Sequence, residues 1–320
     1  MGVHIRRANA VITIGAALSL GGCGAAQATP PPAEAHTAFA PVEVTVVGDP
    51  SWMAAGFGSI WVSHPEGIVD RIDAATGELA AQVEIHEARP DACDGIFAGT
   101  DAIWSCDGGD VVRIDPSSDA VVDRVAAGRI LNQGHFARAA GQLWLLTGDG
   151  DRLVGLGETD GALSEPIALP AACNDVSATA DVVYVACERG DRVLRVDPAS
   201  RSVTAEVTIE APTWVSAAPS GVWVSGTADL LRLDPVSLAT QATVKDRATG
   251  YLGSIWADEG GVWVREVEPF ASRIDATGRT TRVISAPYKT GGDILADGDH
   301  LWTSDVDERL VIRLELPPEG

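Results

Sequence analysis

GVWVS at residues 221–225 and LLRLDPVS at residues 230–237 are two short apolar runs separated by a polar turn. Runs of this length, bounded by Gly, Ser, Asp and Pro, are typical of short antiparallel strands. The pair recurs along the 320-residue chain, each time around an aromatic residue, with spacings of 39 to 43 residues. One structural unit is therefore copied seven times. The aromatic residues of the copies are Trp61, Trp104, Trp144, Tyr184, Trp223, Trp263 and Trp302.

Each unit has room for four strands. In the first copy we expect an inner strand over 52–57, a Trp strand over 60–63, an Arg-Ile-Asp strand over 69–73 and an outer strand over 79–85. Four short strands in about forty residues make one blade of a propeller. The sequence therefore predicts an all-β protein, a seven-bladed β-propeller of four-stranded antiparallel blades.

The two ends of the repeat region indicate how the ring closes. Seven inner strands, Trp strands and Arg-Ile-Asp strands are expected, but only six outer strands lie between them. Residues 42–47, Val-Glu-Val-Thr-Val-Val, alternate as a strand does and precede the first inner strand. We expect this N-terminal strand to complete the last blade and so to cover an otherwise open sheet edge. The propeller is thus predicted over residues 42–316.

The residues that recur in the repeat are expected to build the ring. An indole at the same place in every copy fills the space between neighbouring blades. The Asp of the RLDP or RIDxxTG motif, as in Asp73 and Asp234, is expected to accept backbone N–H groups in the turn that follows. The Arg before it, as in Arg71, is expected to pair with a carboxylate of a neighbouring blade. Only the third copy, LVGLGETDG, lacks this motif.

The copies of VWVS followed by RLDP or RIDxxTG resemble the propellers built from Tyr-Val-Thr-Asn (YVTN) repeats and the virginiamycin B lyase-like group. The resemblance covers about residues 42–316. It implies the architecture, but members of these groups include enzymes, binding proteins and surface proteins. The streptogramin lyases carry an acidic residue after a Trp-Phe-Thr motif, together with a catalytic His and a metal. Here only Asp107, Glu266 and Asp305 correspond to that acidic residue, and no matching His pattern accompanies them.

The N-terminal region has the features of an export signal. Arg6 and Arg7 precede an apolar run over 8–20 that is too short to span a bilayer but suits a signal peptide. The run leads into Leu-Gly-Gly-Cys at 20–23, which resembles the bacterial lipobox, where the Cys becomes diacylated. We expect residues 1–22 to be a lipoprotein signal peptide; the alternative is an ordinary secretory peptide followed by a chance Cys.

Cys23 is accordingly predicted as the lipidated residue, which anchors the protein to the bacterial cell membrane on its extracytoplasmic side. Residues 23–41, rich in Pro and Ala, are predicted to form a flexible tether. The formal net charge of −22 argues against binding nucleic acid. The expected partners are the membrane, through the anchor, and an unknown small molecule or envelope protein.

The four remaining cysteines are expected to pair, because export places them in an oxidising compartment. Cys93 and Cys106 lie symmetrically about the turn at 99–100, as do Cys173 and Cys187 about residue 180. Disulfides Cys93–Cys106 and Cys173–Cys187 are therefore predicted, each between an inner strand and a Trp strand. The alternative is a zinc ion bound by the four thiolates, although no Cys-x-x-Cys pair is present.

Candidate ligand contacts are found where the copies differ. The position nine residues before each aromatic lies where the inner strands begin, at what we call the channel mouth. In chain order it holds Trp52, Gly95, His135, Asp175, Trp214, Ser254 and Asp293. Trp, His, Asp and Asn suit a concave site for a small polar or sugar-like ligand; the alternative is that they are solvated loop residues. The predicted ligand-binding residues are Trp52, Asp94, His135, Asn174, Asp175, Trp214, Trp256 and Asp293.

Catalysis has weaker support in the sequence. His135 with Asp175 or Asp293 would supply a base and the carboxylate that orients it, as a lyase or hydrolase needs. Asp-Gly-Asp runs at 149–151 and 297–299 fit hairpin turns better than a calcium loop. We therefore expect a non-catalytic binding protein with no cofactor and no metal. A lyase or hydrolase that uses His135 is the alternative.

Overall fold

The computed structural model describes residues 35–37, 41–85, 93–131, 135–170, 172–247, 249, 253–266, 269–288 and 291–316. The predicted signal peptide and Cys23 lie outside the described residues. Within that part of the chain, no helix is long and apolar enough to cross a membrane. The one helical element found there is a 3₁₀ turn over Glu188–Gly190.

The described strands form seven antiparallel blades, which confirms the predicted fold class. The innermost strands of blades 1 to 7 are Met53–Gly56, Ile96–Ala98, Ala137–Ala139, Asp175–Ala178, Trp214–Ala218, Ile255–Asp258 and Ile294–Asp297. The second strands are Ser59–His64, Ile103–Asp107, Gln142–Thr147, Val183–Cys187, Gly221–Ser225, Gly261–Arg265 and His300–Asp305. The third strands are Ile68–Asp73, Asp110–Asp115, Arg152–Gly157, Arg192–Asp197, Leu230–Leu233, Ala271–Asp275 and Leu310–Glu315. The outer strands of blades 1 to 6 are Leu79–Glu84, Ala120–Ala126, Ile167–Ala168, Ser202–Thr208, Thr240–Val244 and Thr280–Ser285.

The outer strand of blade 7 comes from the N-terminal side of the ring, as predicted. Val42–Thr45 pairs antiparallel with Leu310–Glu315, and Val44 lies opposite Val311. Val44 packs in the core between blades 7 and 1 with Trp302. The Tyr288 hydroxyl donates a hydrogen bond to the Glu43 carboxylate at 2.5 Å, which ties this strand to the segment that leads into blade 7. Blade 7 is therefore assembled from both sides of the repeat region.

A further strand lies within the predicted tether. Ala35–Thr37 pairs parallel with the outer strand of blade 6, so that this sheet has five strands. Three residues of the 23–41 segment thus add to the sheet rather than serve as a spacer, because the edge of blade 6 offers them backbone partners. Residues 23–34 and 38–40 lie outside the described residues.

The repeated aromatic residues fill the spaces between blades, which confirms the interpretation of the repeat. Trp61 of blade 1 packs against Ile103 and Ile114 of blade 2. Trp302 of blade 7 packs against Ile60 of blade 1, which continues the pattern across the closure. The repeated aromatics are buried, and Trp61 and Trp302 have no exposed surface. Every blade therefore supplies its aromatic residue to the core that it shares with the next blade.

The repeated Asp residues form turns, also as predicted. Asp73 accepts the backbone N–H of Thr76 at 2.8 Å, and Asp115, Asp197, Asp234 and Asp275 make equivalent bonds two or three residues ahead. These hydrogen bonds hold the pKa of Asp73, Asp115 and Asp234 below its usual value.

The prediction for the repeated Arg holds in part. Arg71 binds Asp119 of blade 2 at 3.0 Å and lies over the ring of Trp61. Arg113 and Arg273 instead pair with aspartates of their own blades, because those carboxylates lie in the adjacent inner hairpin. For these two residues the predicted partner was wrong.

Both predicted disulfides are confirmed. Cys93 bonds to Cys106 and Cys173 to Cys187, so that the start of an inner strand is joined to the end of the second strand in blades 2 and 4. The thiols that the zinc alternative required are thereby used up. Both bonds lie at the end of the blades where the channel mouth is found.

We expect the closing strand to control the stability of the ring. Val44→Asp places a carboxylate in the core between blades 7 and 1, where it has no partner. The free energy of unfolding should fall by at least about 2 kcal/mol, the lower cost of burying an unpaired polar group. Urea unfolding followed by tryptophan fluorescence measures this change.

Thr45→Asp is the matched control, since Thr45 is exposed on the same strand. Its effect should stay within about 0.5 kcal/mol. Equal losses in the two variants would show that the strand does not hold the ring through its buried face.

Candidate functional site

The channel mouth is assembled from six of the seven predicted positions. These residues lie at the starts of the inner strands and line a cavity of about 430 Å³. The position repeats because every blade presents its inner strand to the axis in the same register. Gly95 is the member of the set that does not line the cavity. The six that do are Trp52, His135, Asp175, Trp214, Ser254 and Asp293.

Three of them form an aromatic cluster from alternate blades. The Trp52 ring of blade 1 lies 4.1 Å from the His135 ring of blade 3 and 5.1 Å from the Trp214 ring of blade 5, centroid to centroid, with edge-to-face geometry in both pairs. The His135 and Trp214 rings are 5.6 Å apart. Trp214 is only 3% exposed, so it supports the other two rings and offers a ligand little surface. We call Trp52, His135 and Trp214 the aromatic cluster.

His135 is held by the Asp175 carboxylate of blade 4, which binds its Nδ1 atom. Burial disfavours the charged imidazolium, but the charge and the hydrogen bond of Asp175 outweigh it, aided by the charges of Asp293 and Asp94. The pKa of His135 is therefore raised above its ordinary value of 6.5. The predicted pairing of His135 with Asp175 is thus present in the structure.

The two carboxylates at the channel mouth also join neighbouring blades. Asp175 accepts the backbone N–H of Val215 in blade 5 at 2.7 Å, and Asp293 accepts that of Met53 in blade 1 at 2.9 Å. Each also accepts the N–H of the residue that follows it. Both carboxylates therefore satisfy inner-strand donors that have no strand partner on that side.

Serine hydroxyls make the same kind of bond. Ser254 accepts the N–H of Ile294 at 3.0 Å, Ser177 that of Ala217 at 2.9 Å, and Ser216 that of Ala257 at 2.9 Å. In each pair the hydroxyl belongs to one blade and the N–H to the next. We call these side-chain-to-backbone bonds, with those of Asp175 and Asp293, the clasps.

Asp94 and Asn174 were predicted at the site but do not line the cavity. Asn174 donates from its amide to the carbonyl of Thr213 at 2.6 Å and accepts the N–H of Glu188 at 2.8 Å, so it organises backbone. Burial raises the pKa of Asp94, although hydrogen bonds from Ser51 and Trp52 and the charge of His135 offset part of the effect. Asp94 therefore influences the pKa of His135 through its charge, from outside the cavity lining.

Beyond the mouth, the cavity is lined by Ala and Ser residues and by larger side chains, among them Trp256, Phe97 and Arg138. Trp256, which was predicted, is 36% exposed and is the most accessible indole that lines the cavity. Phe97 and Arg138 also line it and were missed. Phe97 occupies the same repeat position as Trp256, seven residues before the aromatic, so a comparison of the copies there would have found it. Arg138 pairs with Glu158 at 2.7 Å.

The cavity combines aromatic surfaces with a small number of polar groups. The site offers indole and phenyl surfaces, one imidazole and two carboxylates that are already hydrogen-bonded to backbone. Burial, the largest influence on Asp293, raises the pKa of that carboxyl. Across the described ranges, no group of three or more His, Cys, Asp or Glu is placed to hold a metal ion.

Comparison with known proteins gives the architecture and no closer relationship. No protein-family model matches the chain, and no curated protein matches it. Solved structures do match. The β-propeller domain of Cps50 (Swd1) from Myceliophteria thermophila has a TM-score of 0.69 at 12% identity, covering 86% of this chain and 100% of that one. The likeness shows the fold.

Two further structures agree. The Pan2 WD40 domain of Neurospora crassa has a TM-score of 0.70 at 8% identity, covering 85% of this chain and 90% of that one. BamB from Moraxella catarrhalis has a TM-score of 0.56 at 12% identity, covering 83% and 85%. Sequence identity this low leaves the function to be argued from the site.

We expect the pKa of His135 to depend on Asp175. Asp175→Asn removes the charge that most strongly favours the imidazolium and keeps an oxygen to accept backbone N–H groups. The pKa of His135, measured by NMR titration of its ring protons, should fall from above 6.5 towards or below that value. In the unaltered protein, the stability that His135 contributes is present below its unfolded pKa and is lost as pH rises through the folded pKa.

Asp181→Asn is the control, because Asp181 is exposed at the far end of the same inner hairpin. It should leave the His135 titration unchanged. An equal shift in both variants would mean that general protein charge, and not the contact, sets the pKa.

Proposed function

We propose that this protein is an extracytoplasmic, lipid-anchored propeller that binds a small ligand at its channel mouth and does not transform it. The observation that carries this proposal is the convergence of Trp52, His135 and Trp214 from three alternate blades in the wall of one cavity. Such a cluster is built from residues that depart from the repeat. A ring that served only as a scaffold would not need it.

The size and lining of the cavity support this proposal. About 430 Å³ falls within the range of small-molecule sites, which are mostly apolar with a few placed polar groups. The walls here are Ala, Val, Ile and aromatic side chains, with Asp175, Ser254 and Asp293 at the mouth. The clasps hold the inner strands of blades 5, 6, 7 and 1, so this part of the wall is formed before any ligand arrives, which lowers the cost of binding.

The cellular setting rests on the N-terminal sequence. The run over 8–20 and the lipobox-like residues 20–23 support export and acylation at Cys23. The two disulfides fit an oxidising compartment. Membership of the YVTN or virginiamycin B lyase-like group is part of the same proposal and is supported by the repeated motifs. The alternative partner at the channel mouth is an envelope protein in place of a small ligand.

One observation favours the alternative, a lyase or hydrolase. The contact between Asp175 and Nδ1 of His135 is the arrangement in which a carboxylate orients a general base. The clasp of Asp175 to Val215 gives that carboxylate a structural task that requires no reaction. Turnover of a bound compound that disappears in His135→Ala, with the fold intact by circular dichroism, would establish the enzyme and overturn simple binding.

The ligand site is tested by a panel of neutral sugars, small neutral alcohols, amines and carboxylates, with binding detected by saturation-transfer NMR. We expect at least one class to bind and Trp52→Leu to weaken it about tenfold or more, because stacking on an indole is lost.

Phe57→Leu is the matched control for the indole change. Phe57 is 41% exposed in blade 1, beyond the far end of the same inner strand. It should leave binding unchanged. Compounds that bind equally well to the unaltered protein and to Trp52→Leu would place the site elsewhere on the molecule.

Lipid anchoring predicts that Cys23→Ser releases the protein from membranes. Expressed in a bacterium, the unaltered chain should incorporate labelled palmitate and sediment with membranes, because two acyl chains give stable attachment. The Cys23→Ser variant should lose the label and appear in the soluble fraction. Labelling that persists in the variant would contradict acylation at Cys23.

A further inference from the structure

The ionisable groups around the aromatic cluster are unequal in sign. Asp94, Asp175 and Asp293 all act electrostatically on His135, the single titratable base among them. Arg138, the other cationic side chain among the described residues that line the cavity, is paired with Glu158. Among those lining residues, two carboxyl groups, Asp175 and Asp293, accompany the one imidazole of His135. The excess of carboxylates therefore favours a ligand that brings positive charge.

The carboxylate oxygens at the channel mouth already accept most of the hydrogen bonds that they can form. The oxygens of Asp293 accept from Met53 N, Ile294 N and the Ser254 hydroxyl, the last at 2.6 Å. The Asp175 oxygens accept two backbone N–H groups and contact His135. A sugar needs several directional partners and would compete with these bonds. A cation needs only the field of the carboxylates and the faces of the rings.

The Asp94 carboxyl group, behind the aromatic cluster, has one oxygen without a hydrogen-bond partner in the described part of the chain. Oδ1 of Asp94 is buried and, among the described residues, accepts no hydrogen bond. An unsatisfied buried carboxylate oxygen is costly and calls for an explanation in the structure. Because Asp94 does not line the cavity, a positive charge bound close to Trp52 would act on this carboxyl through its electric field and not by contact.

The aromatic surfaces suit the same ligand. Trp256 is the most accessible indole that lines the cavity, and Trp52, which is partly exposed, lines it as well. Indole faces attract ammonium groups, and cages of such rings recognise methylated amines. The His135 ring already lies against Trp52 at 4.1 Å, so the protein itself places a protonatable group in this environment.

We infer that the channel mouth binds a small organic ammonium ion, held against the faces of Trp52 and Trp256 and balanced by Asp293. This inference rests on the proposed ligand site and specifies the charge of its ligand. Protonated His135 is then a resident cation that competes with the ligand. Affinity for a permanently charged ammonium ion should therefore rise as pH increases from 5 to 8.

The test compares choline with 3,3-dimethylbutan-1-ol, its neutral isostere, by titration calorimetry on the full chain at pH 7.5. Tetramethylammonium and putrescine extend the cationic series. We expect choline to bind at least about tenfold more tightly than the alcohol, the order expected when a cation meets indole faces in a partly desolvated site. Trp256→Leu should reduce that preference, since it removes a ring and keeps an apolar surface.

Two charge variants distinguish the local charge of Asp293 from the overall negative charge of the protein. Asp293→Asn should weaken choline about tenfold and leave the alcohol unchanged, whereas Asp181→Asn should alter neither. His135→Gln should flatten the rise of choline affinity between pH 5 and pH 8. Since Asp293 also clasps Met53, circular dichroism and urea unfolding show whether the variant remains folded, and Trp256→Leu tests the inference without touching a clasp.

The outcomes are distinct from those for the proposed function. If neutral or anionic compounds bind at the mouth and none of the three cations does, the inference is wrong and the ligand site stands. If choline and its neutral isostere bind equally, the charge argument is also wrong. If no compound of either panel binds, both the inference and the small-ligand site are overturned.

Discussion

The structure depends on how the innermost strand of each blade satisfies the backbone N–H groups on its unpaired edge. A propeller blade pairs its inner strand on one side only, so the N–H groups that face the channel have no strand partner. Within the described part of the chain, five of them are accepted by side chains of the preceding blade: Asp175, Ser177, Ser216, Ser254 and Asp293. These clasps run from blade 4 through blade 7 to blade 1. They make the channel wall polar at chosen points and fix the backbone that carries the aromatic cluster.

Much of this arrangement was accessible from the sequence because it repeats. The spacing of Trp61 and its counterparts gives the blades, and the missing outer strand identifies the closing strand before it is seen. The cysteines were predictable because hairpin symmetry puts Cys93 opposite Cys106. The position of His135 in the repeat was enough to place it at the mouth, since equal register puts equal positions at equal depth.

What the sequence did not reveal are contacts between residues of different blades. Nothing local to Asp293 indicates that it accepts the N–H of Met53, because that donor approaches only when the ring closes. The approach of Trp52 to Trp214 likewise needs two blades that are distant in sequence to meet at the axis. Because this contact buries Trp214, that indole supports the neighbouring rings, whereas the sequence had predicted it as a ligand contact. The clasps also mean that loss of binding and loss of stability are coupled at these positions, so each must be measured separately.

Blade 7 combines strands from both sides of the repeat region, so it can be completed only at the end of synthesis. Its outer strand, Val42–Thr45, leaves the ribosome before any blade exists, and its partner, Leu310–Glu315, emerges after all the others. The first strand must therefore wait through the synthesis of the whole ring without its proper neighbour. Pairing between such distant segments is slow, and an unpaired strand is prone to association with other chains during the delay. Completion of the ring is thus a late step of biosynthesis, timed by the arrival of the last strand.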